Sequence, residues 1–168
     1  MNLFIFRHGL AVEHGSPGYS DDASRPLTVE GKAKLRDIAR AMEKLVLNFD
    51  VILSSPYRRA LQTAKITAEK LDLEKKLAFS DELAPGGSAK ELIHHINQIK
   101  PRPENVLLVG HEPYLSELIS LLVSGGPGFS VTLKKAGLAK LSTPALKHGR
   151  CASLEWLLTP KQMQMIGC

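Results

Sequence analysis

Leu3-Phe4-Ile5-Phe6-Arg7-His8-Gly9 is the stretch on which the fold reading turns. Four consecutive apolar residues are too few for a helix and read as a strand buried on both faces, as in parallel sheets. The end of that strand delivers a guanidinium and an imidazole to the sheet edge where open α/β folds bind ligands. Alone, Arg-His-Gly is a weak signal, because most Arg-His neighbours are surface pairs.

Two later junctions repeat the arrangement. Val51-Ile52-Leu53 runs into Ser54-Ser55-Pro56-Tyr57-Arg58-Arg59, and Val106-Leu107-Leu108-Val109 runs into Gly110-His111-Glu112-Pro113. Both apolar runs are short, and both are followed by a helix-start signal with proline just inside it. If the three strands are parallel neighbours, then Arg7, His8, Arg58 or Arg59, and His111 share one pocket. Two imidazoles and at least two guanidiniums, with no metal cage, suit a phosphoryl group, since arginine's planar fork of donors matches phosphate oxygens.

The rest of the chain alternates helix and strand patterns. Thr28 caps a helix expected from Val29 to Leu47, with an apolar stripe of Ala33, Leu35, Ile38, Ala39, Met42 and Val46. Before it, residues 14–27 are rich in turn formers, and a long loop at a sheet edge carries function or disorder. Ser55 reads as a cap and Pro56 as the first residue of a helix to about Leu71, with Ala60, Ala64, Ala68 and Leu71 inward. Leu77-Ala78-Phe79 reads as a strand, and Ser88 caps a helix bearing Leu92, Ile93, Ile96 and Ile99. On that helix His94 and His95 diverge by about 100° and cannot converge on a metal. Pro113 starts a helix that ends at Ser124-Gly125-Gly126. Strands return at Leu138 to Leu141 and Ala152 to Leu157, the last ones in antiparallel order. Residues 159–168 are expected to pack weakly. The pattern predicts an α/β fold, a three-layer sandwich with a mostly parallel central sheet.

Composition narrows the function classes. The chain has 168 residues, 43% hydrophobic and 23% charged, the size of a single domain over 1–168. No apolar stretch approaches the roughly 18 residues of a membrane span, and no basic leader precedes the first strand, so a cytoplasmic, membrane-free protein is expected. Cys151 and Cys168 follow no metal or redox spacing. The net charge is +5, but the cations are scattered and aromatic residues make up 5%, so no nucleic-acid platform is expected. The charge suits an anionic substrate.

Arg7-His8-Gly9, then Arg25-Pro26-Leu27-Thr28 with Gly31, then Ser54-Ser55-Pro56 with Arg59-Ala60-Leu61-Gln62-Thr63-Ala64, then Gly110-His111 resemble the histidine phosphatase superfamily, of phosphoglycerate mutase-like fold. The short chain and the Arg-Pro-Leu-Thr motif most resemble its SixA branch of protein phosphohistidine phosphatases. The resemblance implies His8 as nucleophile, its second nitrogen fixed by a backbone carbonyl near Gly9. It implies Arg7, Arg59 and His111 as phosphoryl ligands, with Arg59 rather than Arg58 in the motif register. It adds Arg25 on the phosphate, oriented by Asp22. It implies no cofactor or metal, and a phosphorylated protein as partner, either a phosphohistidine carrier or a phosphotransfer domain. Glu82 lies near the family's general-acid position, although Leu83-Ala84-Pro85-Gly86-Gly87 departs from the usual pattern. A phosphoramidate leaving nitrogen is protonated by water or His111 more easily than an alkoxide is expelled, so a missing general acid favours phosphohistidine over phosphoserine.

The competing readings are a phosphomonoesterase of small metabolites, a non-catalytic phosphate-binding module, and a metal hydrolase using His8, His14, Asp21, Asp22 and His111. The metal reading lacks any known ligand spacing and sets a cation among arginines. Oligomeric state is not encoded in any motif.

Overall fold

The computed structural model describes residues 1–168. Six strands form one sheet: β1 (Asn2–Arg7), β2 (Val51–Ser54), β3 (Leu77–Phe79), β4 (Asn105–Gly110), β5 (Leu138–Ser142) and β6 (Ser153–Leu158), in the order β3-β2-β4-β1-β5-β6. β1, β2, β3 and β4 are mutually parallel, whereas β5 is antiparallel to both β1 and β6. The α/β sandwich expected from the sequence is the observed one.

Side chains along the central strands alternate between two cores, as the two-residue period of a strand requires. Leu3, Ile5, Leu53, Val106 and Leu108 face α3 (Ala89–Gln98) and α4 (Tyr114–Ser124). Phe4, Phe6, Ile52, Leu107 and Val109 face α1 (Val29–Lys44), α2 (Arg58–Lys70) and α5 (Pro160–Gly167). With both faces covered, the central strands read as unbroken apolar runs rather than alternating ones.

Several boundaries differ from expectation. α1 stops at Lys44, and Ala33 and Val46 of the expected stripe are exposed, while Ala41 is buried. The helix closes with Val46 in the left-handed region (φ 55°), its N–H bonded to Glu43 O and that of Leu47 to Met42 O. Those paired bonds are a Schellman ending, which returns Leu47 to the core and leaves Val46 in solvent. α2 closes the same way at Asp72. α2 also begins at Arg58 rather than Pro56, with Ser55 Oγ accepting the Tyr57 N–H at 3.2 Å.

The C-terminal residues are not weakly packed. Thr159 and Gln162 form a reciprocal capping box, Met163 is buried, and α5 lies so close on α1 that a Cβ at Gly167 would stand 2.1 Å from Asp37 O. No helix is long and apolar enough to cross a membrane.

Candidate active site

The register of the parallel strands builds the site. Arg7 pairs with Gly110 across β1 and β4, and Ser54 with Val109 across β2 and β4, so three chain ends emerge side by side. The ladder continues one residue further, with His8 N–H bonded to Gly110 O at 3.1 Å and Ser55 N–H to Val109 O at 2.9 Å. His8 and Ser55 are thereby fixed by backbone hydrogen bonding before any side-chain contact is counted, and His111 follows directly on the paired Gly110. The two imidazole centroids lie 5.1 Å apart.

His8 is 6% exposed and is held at both ring nitrogens. Nδ1 lies 2.7 Å from Gly9 O, and Arg59 Nε donates to Nε2 at 3.2 Å. A guanidinium only donates, so Nε2 carries the lone pair and the ring hydrogen is on Nδ1. The carbonyl expected to fix this tautomer is the one the structure supplies. Burial, followed by the neighbouring His111, Arg59 and Arg7, outweighs the Gly9 bond and lowers the His8 pKa to about 3. The ring is neutral at physiological pH, with its lone pair toward the site.

Gly9 is itself anchored. Its N–H bonds to Thr63 Oγ1 at 3.1 Å, and that hydroxyl donates to Arg59 O at 2.7 Å. Thr63 on α2 therefore holds the His8–Gly9 peptide, one unit before the Gly9 carbonyl that orients His8. A neighbouring motif residue does similar work: Gln62 Oε1 accepts the Leu27 N–H at 2.8 Å and ties the 25–28 segment to α2. Gly31 in the first turn of α1 leaves room for Leu10 O, which a Cβ would approach to 2.1 Å.

Arg59 is 4% exposed, as its place on the inner face of α2 requires, whereas Arg58 is exposed. Two more of its five N–H donors go to Asp22: Nη1 donates to Asp22 O at 2.7 Å and Nη2 to Oδ2 at 3.0 Å. Asp22 sits in a short 3-10 turn of the long loop, and its Oδ1 accepts from Arg25 Nε at 2.8 Å. Arg25 Nη1 donates to Val12 O at 2.6 Å. One carboxylate thus bridges two guanidiniums. Burial raises the Asp22 pKa, but the bonds from Arg25 and Arg59 win and hold it below the usual carboxylate range. Arg7 Nη1 donates to Leu133 O at 3.0 Å, while its buried Nε has no partner.

His111 is 2% exposed. Its Nε2 lies 2.8 Å from Ser55 Oγ, and its buried Nδ1 has no partner. Burial, then Arg59, lowers its pKa to about 3. Orphaned polar atoms on both Arg7 and His111 cost on the order of 1–3 kcal/mol each and mark places where an incoming group would gain hydrogen bonds.

The structure therefore brings together Arg7, His8, Asp22, Arg25, Arg59 and His111. Glu82 is not tied to them. Its carboxylate accepts from Ser80 Oγ at 2.5 Å and lies 3.7 Å from His95 Nδ1. The Ser80 bond, first among several causes, lowers its pKa, the wrong direction for a group that must carry a proton to a leaving atom. His14 and Asp21 are exposed, and no cluster of three or more His, Cys, Asp or Glu side chains has the geometry to hold a metal ion. The hydrogen bonds of Ser55, Gln62 and Thr63 around the site are the part that residue reading missed. Their only signal was membership of the Ser54–Ala64 motif.

Comparison with known proteins agrees with this geometry. Residues 3–84 match the family described as "Histidine phosphatase superfamily (branch 1)". The chain is 33% identical over 130 residues to a protein of Haemophilus influenzae named "Phosphohistidine phosphatase SixA homolog", covering 73% of this chain and 77% of that one. It is 35% identical over 148 residues to an uncharacterized protein of Picosynechococcus, covering 88% of each. Among solved structures, the protein histidine phosphatase SixA complexed with tungstate superposes with a TM-score of 0.79 at 25% identity, over 96% of this chain and 98% of that one. The chain belongs to the histidine phosphatase superfamily, in its SixA-type branch.

Proposed function

We propose that the protein removes phosphoryl groups from phosphohistidine in a partner protein, through a phosphorylated His8. The Nε2 lone pair of His8 attacks phosphorus and the P–N bond to the donor imidazole breaks. The leaving nitrogen takes a proton from water. A water molecule then attacks phospho-His8, releasing inorganic phosphate and restoring the neutral ring. An incoming phosphoryl oxygen takes the Arg59 Nε–H away from Nε2, so binding itself uncovers the nucleophile. Arg7 Nε and His111 Nδ1 offer further donors to the equatorial oxygens, with Arg25 beside them, in a step governed by positioning and electrostatics.

The observation that carries the choice of phosphohistidine is the state of Glu82. It is an anion that accepts from Ser80 and lies 3.7 Å from His95 Nδ1, and the carboxylate joined to His8 through Arg59 is the ion-paired Asp22. Neither is prepared to protonate an alkoxide, whereas an imidazole leaving group needs far less help. The names of the Haemophilus influenzae relative and of the tungstate-bound structure support the same reading.

The test is phosphate release, in chelator, from a phosphohistidine protein beside phosphoserine, phosphotyrosine and sugar phosphates, with His8→Ala as control. Release mainly from phosphohistidine, abolished in the variant, is expected. Faster release from a small phosphoester assigns the protein to metabolites instead, and no His8-dependent release from any substrate assigns it to phosphate binding alone.

A further inference from the structure

His111 has one free ring nitrogen, and Ser55 decides what kind of nitrogen it is. Ser55 follows β2 and is fully buried. Its hydroxyl oxygen accepts the Tyr57 N–H at 3.2 Å and lies 2.8 Å from His111 Nε2. A hydroxyl has one hydrogen to donate, and no solvent reaches this one. Its sole acceptor in the fold is the Nε2 lone pair.

We infer that Ser55 is a positioning residue: by donating to Nε2 it holds His111 in the Nδ1–H tautomer, and so presents a hydrogen-bond donor to the phosphoryl group. One further observation and the consequence of the opposite tautomer point the same way. Nδ1 is buried and unpartnered, as a donor awaiting a ligand would be. In the opposite tautomer Nε2–H would donate to Ser55, the serine hydrogen would lose its only acceptor, and an Nδ1 lone pair would face phosphoryl oxygens. Because the ring stays neutral, with a pKa of about 3, protonation does not supply the donor at neutral pH and the tautomer must. His8 and His111 thus carry their hydrogen on the same ring nitrogen but do opposite work. His8 turns its bare Nε2 to the site, and His111 its Nδ1–H.

The role of Ser55 rests on the phosphoryl-transfer reading, but its first test does not. In 15N NMR of the ligand-free full chain, His111 is expected to show a pyrrole-type Nδ1 and a pyridine-type Nε2, with the Nδ1–H signal moving when inorganic phosphate is added. A pyridine-type Nδ1 overturns the inference, whatever the substrate proves to be. In Ser55→Ala the single tautomer is expected to be lost, and kcat for phosphoramidate to fall on the order of 10²-fold with KM within about threefold, as for a lost transition-state donor. Ser55→Thr, which keeps the hydroxyl, is expected to restore the tautomer and most of kcat. A Ser55→Ala protein that keeps both the tautomer and kcat sinks the proposal, and if that variant does not fold the wild-type spectrum decides alone. An enzyme with the expected tautomer that releases phosphate from nothing refutes the phosphatase reading and leaves the Ser55–His111 assignment standing.

Discussion

Arg59 Nε donates to His8 Nε2 across 3.2 Å, so a cation covers the lone pair of the ligand-free site. The same guanidinium is braced by Asp22 through two further bonds, which orient it without consuming Nε. In the proposed mechanism the pair makes nucleophile and phosphate ligand a single unit. Arg59→Ala is accordingly expected to lower kcat/KM for phosphohistidine protein by at least about 10²-fold. Arg58→Ala, one residue away on the exposed side of α2, is expected to stay within about twofold, with stability changed by less than about 0.5 kcal/mol. Comparable losses in the two variants would place the phosphate contact elsewhere.

Acid should destabilise the fold through the two site imidazoles. Their pKa values in the folded chain are about 3, against an ordinary 6.5. Below pH 6.5 the unfolded chain binds protons that the folded one refuses, so stability is complete above about pH 6.5 and is lost as pH falls toward 3. Each ring contributes up to about 1.4 kcal/mol per pH unit in that window. Urea midpoints between pH 7 and 5 should fall less steeply in His8→Gln than in wild type. Equal slopes would mean that His8 titrates normally. Over the same range kcat/KM should show no loss from His8 protonation.

Thr63 should be needed for both stability and rate. Thr63→Val leaves the buried Gly9 N–H without its partner at a cost of about 1–3 kcal/mol, and loosens the residue whose next peptide unit carries the carbonyl that orients His8. Denaturant unfolding and kcat are both expected to drop, and Thr63→Ser to recover most of each. A Val variant with full kcat would confine Thr63 to packing.

Much of the fold was legible because the central strands are buried on both faces: Leu3 to Phe6, Val51 to Leu53 and Val106 to Val109 had no alternative use for such short apolar runs. That they are parallel neighbours was a condition set by the residues at their ends, and their order in the sheet is supplied by the structure. The errors have a different origin. Val46 looked like one more stripe position, yet a Schellman ending takes Leu47 into the core at C″ and expels Val46. The packing of α5 depends on the missing Cβ of Gly167, which no periodicity reveals. At the site, residues carrying charge or lone pairs announced themselves, whereas Ser55 and Thr63 act through single hydroxyls whose partners lie 56 and 54 residues away. Ser55 was read as a helix cap because capping is what serine before proline does most often.

Val46 also offers a gain. A β-branched residue at φ 55° is strained, and Val46 is 86% exposed, so its side chain returns little. Val46→Gly is expected to raise the unfolding free energy by about 1 kcal/mol, read as a higher urea midpoint with kcat unchanged. A lower midpoint would show that the valine side chain supports the α1 ending.

The central claim is that His8 accepts the phosphoryl group. Its most direct test is rapid acid-free quenching of the enzyme mixed with a phosphohistidine protein, followed by mass spectrometry under alkaline conditions to locate phosphate on the enzyme. The account predicts phosphate on His8 during turnover, decaying as inorganic phosphate appears, and none on His8→Ala. Phosphate release at an undiminished rate by His8→Ala would contradict it.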